Sequence, residues 1–326
     1  VDVLVAEVSR IWIAAIAFVF GAIWGSFFNV AIYRWPRGLS VVRPASHCPY
    51  CRARIPGRLN VPILGYLLLR GKTACCGKPL SPRYPIVETL SALLCVAVAE
   101  RFVAAEDPST LLVKAALTAL CYFAFAGGLL VATFVDLERM EIPDEVSLPG
   151  AALGLLTAAY RDTPGAEAAA LGAGGAFLLV QVVFVWTYEA LLGRRGMGEG
   201  DAKLLLMIGA FIGWQGAAFS LFAGAAQGLL VAIYGLLTGR KLAPEPPDEL
   251  DDEDEEGDEG AAASAASPDQ QMPVQSSEPS PAWIGHLKLP FGPFLALGAL
   301  EYLFFGAPLV DTWLAVIERG FHLFGR

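Results

Sequence analysis

Between Leu204 and Leu237 the chain carries no charged residue. As one straight helix, rising about 1.5 Å per residue, that stretch would reach about 50 Å. A bilayer core is only about 30 Å thick, and about 20 apolar residues span it. The "GWQG" at residues 213 to 216 is therefore read as a turn into a second, antiparallel helix. Further apolar windows lie at residues 11–33, 86–99, 111–135, 146–160, 168–188 and 290–305. With 55% hydrophobic and 17% charged residues, the chain is too apolar for a protein whose whole surface meets water. The expected fold is an all-α polytopic membrane protein with about eight transmembrane helices and a small cysteine-rich cytoplasmic loop domain.

Charge orients these spans. Residues 34–84 hold ten Lys and Arg and no Asp or Glu, and such a loop is expected on the cytoplasmic side. Counting onward, 136–145, 193–203 and 239–288 fall on the same side, in agreement with Arg139, Arg194, Arg195, Lys203, Arg240, Lys241 and Lys288. The net charge of −9 averages this basic loop with an acidic, Pro/Ser/Ala-rich stretch at 245–281. That stretch has too little apolar surface to offset chain entropy and reads as a disordered insertion, or as an acidic tail for a partner. Residues 1–10 carry Asp2 and Glu7 and lack a basic start, so the first span is read as a retained anchor. The resulting division is a first span at 1–33, a basic cysteine-rich domain at 34–85, and a membrane core at 86–238. The acidic insertion at 239–288 and a last span with its tail at 289–326 complete it. The basic loop also suits anionic lipid headgroups, at about 1 kcal/mol per residue near the surface. Nothing points to nucleic acid or fixes an oligomeric state.

Four of the six cysteines lie in the basic loop: Cys48 and Cys51 in "CPYC", and Cys75 and Cys76 in "ACCGK". A C-x-x-C knuckle with two later cysteines suits tetrahedral Zn²⁺, and a reducing cytoplasm favours metal over disulfide. Adjacency of Cys75 and Cys76 is unusual for such a cage. Three thiolates with His47 or water as fourth ligand, or no metal at all, are the alternatives. Either way the site reads as structural, because a small loop with few apolar residues gains its fold from metal. Cys95 and Cys121 sit in apolar windows and read as core.

Two carboxylates stand where apolar spans meet the cytoplasmic surface. Asp201 follows Gly198-Glu199-Gly200, and Asp136 ends a long span in "FVDLERMEIPDEVSLPG". Both fall at one level on one side. Paired buried carboxylates do not both ionise cheaply, so one holds a proton while the other activates water. The histidines, His47, His286 and His322, stand beside no plausible nucleophile, which leaves no Ser-His-Asp set in competition. Asp144, beside Pro143, reads first as a helix cap. Glu138, Glu141, Asp144 and Glu199 would add negative potential around the pair and attract a Lys/Arg-rich segment, or they are ordinary helix-end charges. On composition alone a proton-coupled transporter stays open.

These motifs resemble the bacterial type IV prepilin peptidases, the leader peptidase/N-methyltransferases of the GxGD aspartic protease class. The likeness runs through "GSFFNVAIYR" (25–34), "HCPYC" (47–51), "LNVPILGYLLLRGK" (59–72) and "SPRYPIVE" (81–88). It continues through "DLERMEIPDEVSLP" (136–149), "GMGEGDAKLLLMIGAFIGW" (196–214) and "LPFGPFLALGAL" (289–300). The resemblance implies that Asp136 and Asp201 are the catalytic pair; Gly198, Gly200, Asp144 and Lys203 are read as supporting residues around them. It implies that the enzyme sits in the inner membrane and cuts the basic leader from type IV prepilins and type II secretion pseudopilins after a glycine. It further implies N-methylation of the new terminus from S-adenosylmethionine, with Glu88 a candidate for that half. The loop cysteines would match the family's zinc tetrad, except that its third cysteine would fall at Thr73. A peptidase without methyl transfer remains an alternative.

Overall fold

The computed structural model describes residues 3–43, 47–48, 50–161, 163–193, 197–238 and 289–306. The described residues contain no β-strand, only isolated bridges such as His47 with Arg54 and Lys72 with Pro79. The acidic insertion lies outside them.

Each apolar window becomes a helix. In chain order these are α1 (Arg10–Arg34), the short α2 (Leu64–Leu68), α3 (Arg83–Ala99), α4 (Leu112–Arg139), α5 (Asp144–Thr157) and α6 (Ala166–Leu178). A π-helical stretch, Leu179–Thr187, carries α6 into α7 (Tyr188–Leu192). The last two among the described residues are α8 (Glu199–Thr238) and α9 (Gly292–Gly306). Four helical segments are long and apolar enough to cross a membrane: Arg10–Arg37, Leu112–Arg139, Ala166–Leu192 and Glu199–Thr238. Helices α3 and α5, with 17 and 14 residues, and α9 are shorter than the about 20 residues a perpendicular span needs.

The long charge-free segment bends where the sequence says it should. Gly213 has φ 73° inside α8, a left-handed conformation that only glycine adopts without strain. Leu205 and Leu221, eight residues to either side of it, line one crevice together with Leu171, Gly172 and Gly175 of α6. The two halves of α8 therefore run back along each other. Close approach of α6 is what the small residues permit: a Cβ on Gly209 would lie 2.3 Å from the carbonyl carbon of Gly172.

Arg161 clamps the turn. It is buried, and its guanidinium donates to the carbonyls of Gly154 (2.7 Å), Ala210 (3.0 Å) and Phe211 (2.8 Å) and to Tyr122 Oη (3.1 Å). Ala210 and Phe211 stand just before the non-helical Gly213, and a cation at the C-terminal end of a helical segment meets its carbonyls with favourable dipole sign. The side chain also lies over the rings of Tyr122 and Phe211.

Helix α4 is the centre of the bundle. Its apolar window is 61% buried, against 22–28% for the other three long helices, so neighbours and not lipid surround it. Phe125, Leu129 and Val135 of α4 join Leu204, Leu205, Ile208 and Phe211 of α8 in one continuous core. Cys95 is buried in that core and Cys121 packs partly against it, as their apolar settings suggest. The core holds the C-terminal end of α4 and the N-terminal end of α8 at one level, which positions the acidic residues that follow.

Candidate active site

Helix α4 stops just after Asp136. Met140 takes a left-handed conformation at the C-cap and returns its N–H to the Asp136 carbonyl. The Asp136 side chain is buried, at 5% exposure, and its Oδ2 accepts the N–H of Gly292 at 2.8 Å. Gly292 opens α9, so Asp136 caps a helix that begins 156 residues later. The first N–H groups of a helix have no internal partners and carry the positive end of its dipole, so they suit a carboxylate.

Asp201 lies three residues into α8 and is 9% exposed. Its Oδ2 reaches back to accept the Gly198 N–H at 3.1 Å, the reciprocal arm of a capping box. Ile142 packs against both Gly200, beside Asp201, and Gly292, the partner of Asp136. A Cβ on Gly200 would meet Ile142 Cβ at 3.0 Å, and one on Gly292 would meet Ile142 Cδ1 at 3.2 Å and Asp136 Oδ2 at 2.8 Å. Only bare backbone fits at those two glycines, and their shared neighbour Ile142 brings the start of α8 and the start of α9, with Asp136, to one place.

Ion pairs fasten this end of the bundle. Lys203 Nζ contacts both carboxylate oxygens of Asp144 at 2.7 Å, which ties the start of α5 to the start of α8. Asp144 makes no capping hydrogen bond, so the reading of it as a helix cap is corrected: the Lys203 ammonium, a stronger partner than a backbone N–H, takes its oxygens. Arg83, at the start of α3, pairs with Glu138 two residues after Asp136. With Glu138 and Asp144 both paired, the negative potential expected around the acids is partly neutralised.

The cysteine loop gathers four sulfurs. The Sγ atoms of Cys48, Cys51, Cys75 and Cys76 all lie within 4.8 Å of one another. Cys48 and Cys76 are 3.8 Å apart, Cys51 and Cys75 3.2 Å, and Cys75 and Cys76 4.0 Å. A tetrahedral cage with Zn–S of about 2.3 Å has edges of about 3.8 Å, so the donor set fits zinc. His47 is not among the gathered donors; Cys75 and Cys76 both reach in despite their adjacency. Thr73, at the position of the resembling family's third cysteine, instead hydrogen-bonds Cys76 Sγ at 3.1 Å. Desolvation works to raise the Cys48 thiol, but the N–H groups of Cys51 and Tyr50 and the neighbouring thiols outweigh it and bring it to about 6. Hydrogen bonds with Cys51 and Cys48 push Cys75 up to about 12. Protons are thus shared unevenly among four crowded sulfurs, and a divalent cation would displace them.

Glu88 lies elsewhere, on α3 behind α1. It is buried, with Oε2 accepting the Ile63 N–H at 2.7 Å. It does not touch the aspartates' glycine partners, but Arg83, on the same helix, reaches Glu138.

The sequence matches the Bacterial Peptidase A24 N-terminal domain over residues 19–102 and the Type IV leader peptidase family over residues 123–236. A prepilin leader peptidase/N-methyltransferase of Klebsiella pneumoniae is 38% identical over 219 residues, 64% of this chain and 89% of the relative. The Pseudomonas putida protein of the same name is 34% identical over 67% of this chain and 80% of its own length. The chain belongs to the type IV leader peptidase family. A third relative with that name, from Myxococcus xanthus (strain DK1622), is 30% identical over 93% of this chain and 91% of the relative. No solved structure matches the chain significantly. Within this family member the two matched regions divide the features above: the first holds Glu88 and the cysteines, the second Asp136 and Asp201.

Sequence reasoning missed two residues of this architecture. Gly292 was visible only as part of "LPFGPF", and its contribution is a backbone N–H. Arg161 falls in a short interhelical segment with no motif around it. Its signal was a lone cation between apolar windows.

Proposed function

We propose that the chain is a bifunctional inner-membrane enzyme that removes the leader of type IV prepilins and pseudopilins and N-methylates the new terminus. The observation that carries this reading is the convergence of Asp136 and Asp201, from separate helices, at one end of the bundle. One carboxyl holds the proton while the other takes one from water, whose oxygen attacks the scissile carbonyl; the protonated partner then supplies the leaving amine. Gly200 and Gly292 let α8 and α9 pack as bare backbone against Ile142, and Gly292 against the Asp136 carboxylate as well, and Lys203 with Asp144 fixes the α5–α8 spacing on which the pair depends. A substrate with its apolar helix in the bilayer presents the leader junction at this level.

About eight crossings, with both halves of α8 counted separately and α3, α5 and α9 included, place the dyad and the cysteine loop on the cytoplasmic face. The basic loop, residues 34–85, forms the family's zinc domain, with Cys48, Cys51, Cys75 and Cys76 holding Zn²⁺ as a structural ion. S-adenosylmethionine, implied by the relatives' names, supplies a sulfonium methyl when bound. The acceptor-rich cluster around Glu88 fits a cationic ligand, and Glu88 is the candidate residue for that half.

The test is Asp136→Asn and Asp201→Asn on a co-expressed prepilin, read by gel shift. Both variants are expected to leave the leader in place. Normal cleavage by either one sinks the dyad and returns the carboxylates to a structural or transport role. Product mass then separates methylating from non-methylating enzymes.

A further inference from the structure

Beneath the basic loop, α1 and α3 enclose a polar cluster with one acceptor left over. Asn29 is 3% exposed, and its Nδ2 donates to the carbonyls of Gly25 (3.3 Å) and Tyr84 (3.1 Å). Both partners are acceptors, which fixes the amide's orientation. Its Oδ1 is buried and has no partner among the described residues. Glu88, one helical turn along α3 from Tyr84, receives Ile63 N–H, and Ser26, next to Gly25 in the sequence, is near it. A carboxylate offers about four acceptor positions, so most remain open. The helices approach closely here, since a Cβ on Gly25 would lie 2.7 Å from Glu88 Cα.

The loop over this cluster is strained. Ile63 has φ 63° and ψ −54°, a conformation disfavoured for a β-branched residue, in a tight turn closed by Leu64 N–H to Pro62 O at 2.6 Å. Such a backbone stores about 1–3 kcal/mol and persists only where neighbours over-determine it. The Glu88 carboxylate does so by holding the Ile63 N–H.

A buried carboxylate with spare acceptor positions beside an orphan amide oxygen lacks a donor that carries positive charge. We propose that Glu88, Asn29 and Ser26 form a receptor for a primary ammonium group, gated by the Ile63 turn. This deepens the proposed methyltransferase half and rests on it. Two such groups meet this enzyme: the terminus freed by leader removal and the amino-acid end of S-adenosylmethionine. The Arg83–Glu138 pair sets the distance from the dyad. Glu88 lies five residues, about 8 Å, along α3 from Arg83, and Asp136 is two residues from Glu138. Where the occupant is the freed terminus, its proton passes from the amine nitrogen to a Glu88 oxygen, leaving a neutral amine as methylation requires and a neutral acid in place of the carboxylate.

The test measures binding by the full chain in lipid nanodiscs, without turnover. One arm compares a leader-free pilin segment with a free and an acetylated N-terminus. The other compares S-adenosylmethionine with its deaminated analogue. A preference of about ten-fold or more for the free amine in one arm is expected, and that arm names the occupant. Asn29→Leu and Glu88→Gln should abolish the preference; Ser26→Ala, a small change, should reduce it and covers the case where the larger changes prevent folding. The wild-type comparison alone decides if no variant folds. Equal binding of amine and blocked ligand in both arms overturns the receptor, as does a preference that survives in folded Asn29→Leu and Glu88→Gln. Wild-type product mass tests the parent reading separately: a chain that methylates yet shows no amine preference refutes the receptor alone, and one that prefers the amine without methylating refutes only the parent.

Discussion

Replacing Gly292 with alanine should cripple peptide cleavage while leaving the fold intact. The added Cβ would lie 2.8 Å from Asp136 Oδ2 and 3.2 Å from Ile142 Cδ1. Ordinary contact begins at 3.4 Å, so the carboxylate must retreat by about 0.6 Å (3.4 less 2.8). That would stretch the present 2.8 Å hydrogen bond beyond useful geometry. A hydrogen bond to a charged group contributes about 1.5–3 kcal/mol, which corresponds to about a ten- to hundred-fold lower kcat if it acts on the transition state. Alanine suits the backbone itself, because Gly292 begins a helix and is not among the glycines with positive φ. Reduced entropy of the unfolded chain would even help by about 0.4–1 kcal/mol. The assay is the initial rate of leader removal by purified enzyme, with thermal unfolding alongside. Gly174→Ala serves as control, since nothing lies within 4 Å of the place its new methyl group would take. Wild-type turnover by a folded Gly292→Ala enzyme would refute the idea that this N–H positions Asp136.

Three further outcomes follow from the same geometry. Arg161→Met strips partners from buried carbonyls at the α8 turn and should lower stability by about 3 kcal/mol, roughly 6 °C or more in Tm; an unchanged melting curve counts against the clamp. Reversing Lys203 or Asp144 singly should slow cleavage several-fold, with partial recovery in the doubly swapped enzyme. The stability change should stay near 0.2–1 kcal/mol, since the two side chains are 29% and 52% exposed; absence of recovery argues that the pair itself does not matter. Zinc chelation, or Cys48→Ser, should release about one metal per chain and make the 34–85 segment protease-sensitive while the bundle stays folded; metal-free wild type with a protease-resistant loop refutes a zinc-built domain.

The helices were legible because a bilayer leaves so few alternatives for uncharged segments. The turn at Gly213 was legible for the same reason, as length alone ruled out a straight rod. Asp136 and Asp201 could be paired by counting spans, since each sits where an apolar run meets a charged one. Asp144 could not: its local setting is that of a cap, and only the fold brings the Lys203 ammonium to it. Gly292 was hidden more deeply, because a backbone N–H has no signature in a sequence and its partner lies 156 residues away. The cysteine cage was legible in composition but not in geometry, since Thr73 disrupts the expected spacing and Cys75 supplies the fourth sulfur.

The trans-cap between Asp136 and α9 has a consequence for biosynthesis. Ribosomes release a chain from its N-terminus, so both acids are made and threaded into the membrane well before Gly292 exists. Until α9 docks, the Asp136 carboxylate lacks its fixed donor, and on the catalytic role proposed for Asp136 such a half-assembled chain is an idle protease. On that role activity is tied to the docking of α9, whatever length of chain separates it from α8, because the entropy of closing a flexible connection grows only slowly with its length.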